Sequence, residues 1–195
     1  MRQSACLAEW LSERSRNGGV DEIPLPVTTG RLWLCGKHFV GPNPEWALER
    51  TGASTLVCLN ERSELDDRYP DYVHWLQANA SMRAIWFPIP DLHAPTVRAA
   101  APLLDELRKR LDVGDGILLH CGAGIGRAGT IAAALLITLG MPRDAATQTV
   151  ADHRPGAGPE AGAQADLLVA LARKNADECL TIARSTPATT EDHRC

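Results

Sequence analysis

One segment constrains this chain more than any other: Ile117-Leu118-Leu119-His120-Cys121-Gly122-Ala123-Gly124-Ile125-Gly126-Arg127-Ala128-Gly129-Thr130. Residues 117–120 form a short apolar run bounded by turn signals, the pattern of a strand buried on both faces. It ends at a cysteine, a glycine-rich turn follows, and an arginine opens a helix near 127–139. A buried strand delivered into a helix through a tight loop belongs in a parallel sheet. The rest of the chain supplies its neighbours. Strands are predicted at 31–35, 55–59 and 84–89, the last broken by Pro88 and Pro90 into a loop. Helices are predicted at 5–16, after Asn43, around 70–79, from Thr96 to Leu111, and at 143–153 and 160–183. Asn43 and Thr96 are N-caps, and Pro44 sits in a first turn where its missing N–H costs nothing. The fold class is therefore α/β: a single domain with a mostly parallel central sheet flanked by helices on both faces. The expected organisation is a helix and lead-in over 1–29, the α/β domain over 30–185 and a polar, flexible tail over 186–195.

The turn after Cys121 has a chemistry. Glycines at 122, 124 and 126 let the backbone curl so that successive N–H groups point inward, and the positive end of the following helix adds to their field. Such a cradle, built from Gly122, Ala123, Gly124, Ile125 and Gly126, suits a tetrahedral oxyanion such as phosphate. Arg127 adds a planar fork matched to two phosphate oxygens. The same field favours a thiolate at Cys121, the nucleophilic form, with His120 orienting the loop. No metal and no cofactor is needed for that step. Six cysteines at 6, 35, 58, 121, 179 and 195 show no paired metal-ligand spacing and no disulfide framework. Cys35 and His38 make an isolated CxxH.

HCGAGIGRAGT resembles the HCxxGxxR signature of the cysteine-dependent protein tyrosine phosphatases, and the AGxGR within it is closest to the small dual-specificity and atypical types. The resemblance runs from about Gly30 to Arg173 through GRLWLCG, TLVCLNERSEL, WFPIPDLHAP and HRPGAGPEAGAQ. It implies a phosphocysteine intermediate on Cys121, phosphate binding by Arg127 and the 122–127 amides, and Asp91 as the acid that protonates the leaving group. Asp91 lies between Pro90 and Pro95 in a loop that could close over a site. Gln164 resembles the glutamine that positions hydrolytic water in relatives, against the plainer reading of a helical surface residue. Arg154, with Pro155 and Gly156, resembles a structural turn. Cys58 lies in a strand that the family fold places near the cysteine strand, where a protective disulfide with Cys121 is conceivable. Asp66, Asp67 and Asp71 read as solvated surface, and residues 60–64 as pocket rim.

One position departs from the pattern. Relatives usually carry serine or threonine directly after the arginine, where its hydroxyl stabilises the departing thiolate. Here that residue is Ala128, and Thr130 lies nearly 200° away around the helix at 3.6 residues per turn. Slow breakdown of phosphocysteine follows. The reading is thus a phosphomonoester hydrolase acting on phosphotyrosine, and on phosphoserine or phosphothreonine, in proteins. Its alternatives are a phosphate-binding or trapping module with little turnover, and a phosphoinositide phosphatase. The loop's lack of lysines counts against the last.

A formal net charge of -4 argues against a nucleic-acid partner held by a basic face. No apolar run approaches the roughly 18 residues of a spanning helix, and Glu9 interrupts any signal-peptide core. The expectation is a cytoplasmic protein with a phosphorylated protein as substrate and neither membrane nor nucleic acid as partner.

Overall fold

A computed structural model describes residues 19–80 and 82–185. The helix expected over 5–16, Cys6, and the tail with Cys195 lie outside the described residues. Five strands form one sheet: β1 (Val20–Ile23), β2 (Arg31–Gly36), β3 (Thr55–Cys58), β4 (Ala84–Trp86) and β5 (Gly116–Cys121). Their order is β1-β2-β5-β3-β4, parallel throughout except for β1, which joins β2 antiparallel. The cysteine strand β5 is thus central, between β2 and β3. β1 was not anticipated, because four residues reading Val-Asp-Glu-Ile show no continuous apolar run; as an edge strand it needs none.

Among the described residues seven helices cover the sheet: α1 (Lys37–Val40), α2 (Pro44–Thr51), α3 (Pro70–Ala78), α4 (Val97–Asp112), α5 (Gly126–Thr138), α6 (Arg143–His153) and α7 (Gly162–Ser185). The expected caps are present. Asn43 Oδ1 accepts from Trp46 N at 3.0 Å, and Thr96 Oγ1 from Ala99 N at 3.3 Å. The single turn α1 and a 3₁₀ turn at Arg62–Glu64 were missed, both too short for a hydrophobic period to register.

Alternation along the strands sorts the core into two layers. Leu32, Leu34, Val57, Ile117, Leu119 and Cys121 face one layer, with α4, α5 and the inner side of α7. Trp33, Cys35, Leu56, Cys58 and Leu118 face the other, with α2 and α3. Helix α5 is buried from Gly126 to Ile137, so apolar residues surround it instead of forming one stripe. The same register separates two thiols: Cys58 pairs with His120, not Cys121, and faces the opposite layer. The disulfide conceived between Cys58 and Cys121 is therefore corrected; the sheet lies between the two side chains.

Candidate active site

Cys121 ends β5 and is buried. The loop beyond it is organised by what happens to its carbonyls. Gly122 O accepts from Lys37 N at 3.0 Å, and Ile125 O accepts from Gly129 N at 2.9 Å and Gly158 N at 3.3 Å. Ala123 O and Gly124 O both accept from Arg154, at 2.8 and 2.7 Å. Every carbonyl from 122 to 125 is thus taken by a partner outside the loop. The amides of Ala123, Gly124, Ile125, Gly126 and Arg127, by contrast, donate to nothing among the described residues. A loop with its acceptors satisfied and its donors unused is an anion cradle by construction.

Of the three glycines in the loop, only Gly124 has a left-handed backbone, at φ +74. A Cβ there would also come within 2.2 Å of the Cys35 carbonyl. Gly126 has no left-handed backbone, and a Cβ there would meet only the movable end of the exposed Glu160 side chain, at 1.7 Å from Oε2. The reading that all three glycines serve backbone curvature is corrected accordingly.

Arg154 is fully buried. Besides the two loop carbonyls, it donates to Leu34 O at 3.2 Å and pairs with Asp21 at 2.7 Å. It therefore fastens the underside of the loop to β2 and β1, a structural part as the sequence suggested.

Arg127, at 4% side-chain exposure, projects from the first turn of α5. Its end-on edge is gripped by Glu64: Nη1 donates to Oε1 at 2.6 Å and Nη2 to Oε2 at 2.8 Å. The second N–H of Nη1 donates to Ile89 O at 2.9 Å. Asp91 Oδ1 lies 3.2 Å from Nη2, with the Asp91 side chain 70% exposed. A guanidinium carries five N–H donors. After these contacts the Nε–H is unused among the described residues, and the edge it shares with Nη2 is held only by Asp91. That edge faces where an anion in the cradle would need a bidentate partner.

Glu64 was placed on the rim by the sequence but given no role. Its carboxylate accepts four hydrogen bonds, from Arg127 twice, Glu61 N at 2.9 Å and Asn60 Nδ2 at 2.7 Å. Burial works to raise its pKa, and the hydrogen bonds and charge of Arg127 outweigh it, holding the group down at about 2. Arg127 is raised in turn: burial opposes its charge, and the Glu64 hydrogen bonds more than compensate. No local signal marked Glu64, because its partner lies 63 residues away and its neighbours form a charged run.

His120 is fully buried in the layer opposite Cys121. Its Nε2 meets the Tyr72 hydroxyl at 2.5 Å, and Nδ1 lies 3.4 Å from Cys121 O. Burial pushes its pKa down to about 4, helped by Arg127 and Lys37, so the ring is neutral. It therefore sits as a neutral ring at the strand end, against the Cys121 carbonyl.

Asp91 reaches the site because pairing with β3 outlasts β4. Phe87 N donates to Cys58 O at 2.9 Å and Ile89 N to Leu59 O at 3.0 Å, which carries the chain past Pro88. A turn closed by His93 N to Pro90 O at 3.1 Å then presents Asp91, with Leu92 left-handed at φ 59. His93 is exposed, and its Nδ1 lies 2.7 Å from Asp91 O.

Gln164 is not a surface residue; it is fully buried. Its Oε1 accepts from Glu160 N at 2.7 Å and Thr130 Oγ1 at 3.3 Å, and its Nε2 donates to His93 O at 3.4 Å. It ties α5, the segment before α7 and the Asp91 turn together. The Thr130 hydroxyl is thereby directed at Gln164, and Ala128 is fully buried beside the loop with no hydroxyl to offer.

With this geometry in view, the comparisons are specific. Residues 43–181 match the model of the PTP-SAK family, described as a Swiss Army Knife protein, DSP-PTPase phosphatase domain. The chain belongs to this family. Among solved structures, Tk-PTP in the active form is 24% identical with a TM-score of 0.59, covering 78% of this chain and 97% of that one. Kinase associated phosphatase, with its catalytic-site cysteine substituted by serine, is 21% identical with a TM-score of 0.67, covering 81% and 96%. PTPMT1 in complex with PI(5)P is 16% identical with a TM-score of 0.62, covering 76% and 94%. These likenesses establish the fold; the family match places the chain among phosphatase domains. No curated protein sequence matches the chain.

Proposed function

We propose that the protein hydrolyses phosphomonoesters on proteins, phosphotyrosine first and phosphoserine or phosphothreonine in addition, through a covalent intermediate on Cys121. The observation that carries this reading is the set of unused donors beside Cys121: five loop amides and the Nε–H of Arg127. These donors stabilise charge on the three non-bridging oxygens as it redistributes in transfer.

The steps follow from the arrangement. Phosphate takes the Nε/Nη2 edge of Arg127, displacing Asp91 from it. The Cys121 thiolate attacks phosphorus, the bond to the leaving oxygen breaks, and Asp91 gives that oxygen a proton. Water then attacks the phosphocysteine, Asp91 takes a proton from it, and the thiolate and inorganic phosphate separate. In this second step the leaving sulfur lacks the hydroxyl that Ala128 would supply as serine. One missing hydrogen bond to developing charge is worth about 1.5–3 kcal/mol, or roughly 10–150-fold in that step.

A lipid phosphate is the second reading, favoured by the likeness to PTPMT1 in complex with PI(5)P. Against it, Gly122 to Gly126 carry no cation for further phosphates.

The test is rapid-mix hydrolysis of an aryl phosphate by wild type, Cys121→Ser and Ala128→Ser. Wild type is expected to release about one equivalent in a burst and then turn over slowly. Cys121→Ser abolishes both phases, and Ala128→Ser speeds the slow phase within the range above. Linear Cys121-dependent turnover keeps the hydrolase and removes the Ala128 argument. Product that does not depend on Cys121, or no product, overturns the reading.

A further inference from the structure

The Glu160 carboxylate is a charged group beside the cradle that the reaction above does not use. It occupies the space a side chain at position 126 would fill, so close that a Cβ on Gly126 would meet Oε2 at 1.7 Å. Its backbone is fixed there: Glu160 N donates to Gln164 Oε1 at 2.7 Å, and the same glutamine holds His93 O of the Asp91 turn at 3.4 Å. The carboxylate itself makes no hydrogen bond and no ion pair among the described residues, and the residue is exposed.

The carboxylates around the mouth are not equally paired. Glu64 and Asp91 share Arg127, and Lys37 donates from Nζ to the Glu64 carbonyl at 2.9 Å. Of the carboxylates Glu64, Asp91 and Glu160, only Glu160 has no ion-pair partner among the described residues. A phosphate in the cradle adds further negative charge beside it. A substrate that brings its own cation removes this repulsion; one that brings a second phosphate worsens it.

We infer that Glu160 is a specificity-determining residue, selecting phosphopeptides with a lysine or arginine next to the phosphorylated residue over acidic peptides and polyphosphorylated lipids. The inference rests on the phosphatase reading and names its substrate class.

The experiment compares kcat/KM for two phosphotyrosine peptides that differ only in lysine or glutamate at the flanking positions, with an aryl phosphate and short-chain PI(5)P alongside. Wild type is expected to prefer the lysine peptide by about fivefold at low salt, and the preference to shrink as salt screens it. Glu160→Gln should bring the ratio near one, and Glu160→Lys should reverse it. Equal rates on the two peptides in wild type, a ratio unmoved by either substitution, or faster hydrolysis of PI(5)P than of the lysine peptide overturns the inference. In each of those cases Cys121-dependent hydrolysis of the aryl phosphate shows that the phosphatase reading survives. Its absence removes both.

Discussion

Arg127 shows how one side chain can be both fixed and available. Glu64 and the Ile89 carbonyl consume three of its five N–H donors on the sides away from the Nε edge, and Asp91 lies against a fourth. The Asp91 contact is the exposed and loosely made one, so it is the one a phosphate displaces. Asp91→Asn should therefore spare phosphate binding and lose proton delivery. The expected fall is about 100-fold in kcat/KM, which reports formation of the phosphocysteine, for an alkyl phosphate, whose leaving oxygen needs the proton, and much less for a nitrophenyl ester, which does not. Equal losses on both esters in a steady-state comparison would contradict the assignment. Cys121, Arg127 and Asp91 were legible in the sequence because each sits in a contiguous pattern. Glu64 owes its place to a partner 63 residues away, and a charged residue in a charged stretch carries no mark of which charge it will meet. For Gln164 the sequence leaves a water-positioning residue and a helical surface residue both open, because the groups that bury it come from two other segments.

At the scale of elements, the strands and helices were mostly legible because they are long enough for a period to show. α6 matches its expected span, and α5, α3 and α4 match theirs to within a residue. What escaped was short or defined by pairing: β1, α1, and the turn at Arg62–Glu64 that delivers Glu64. The Asp91 turn is the element on which the proposed proton transfer depends, and it holds a leucine in a left-handed conformation at Leu92. Such a backbone persists only where surrounding contacts hold it. Gln164 provides one, through His93 O. Gln164→Ala leaves the buried Thr130 hydroxyl and the Glu160 amide without their acceptor, at a cost of about 1–3 kcal/mol. It also frees the turn, so alkyl phosphate hydrolysis should drop further than nitrophenyl phosphate hydrolysis. Urea denaturation reads the first effect and the ratio of the two rates reads the second. A stability loss with that ratio unchanged would make Gln164 a packing residue only.

For the whole molecule, the ion pairs and the buried histidine at the site set how stability answers to acid. The folded protein holds His120 neutral down to about pH 4, chiefly through burial, whereas an unfolded histidine takes a proton near 6.5. Between those values the unfolded chain binds the proton and the folded one does not. Stability is complete above about pH 6.5 and drains as pH falls toward 4, by an amount on the order of 2–4 kcal/mol. His38, lowered by burial and by Arg68 and Lys37, acts in the same direction. Glu64 follows in a lower window: held near 2 against an ordinary 4.5, it contributes stability above pH 4.5 that is lost as pH falls toward 2. His120 lies on the strand that ends at Cys121 and Glu64 holds Arg127, so acid loosens the cradle at two points in succession. Urea midpoints measured from pH 7.5 to 4 should fall mainly below 6.5. His120→Asn should flatten that fall, whereas Glu64→Gln should lower the whole curve and leave its slope above pH 4.5 intact. A midpoint that stays constant from pH 7 to 4.5 in wild type would show that His120 titrates alike in both states, and would remove burial of the neutral ring as the source of the acid response.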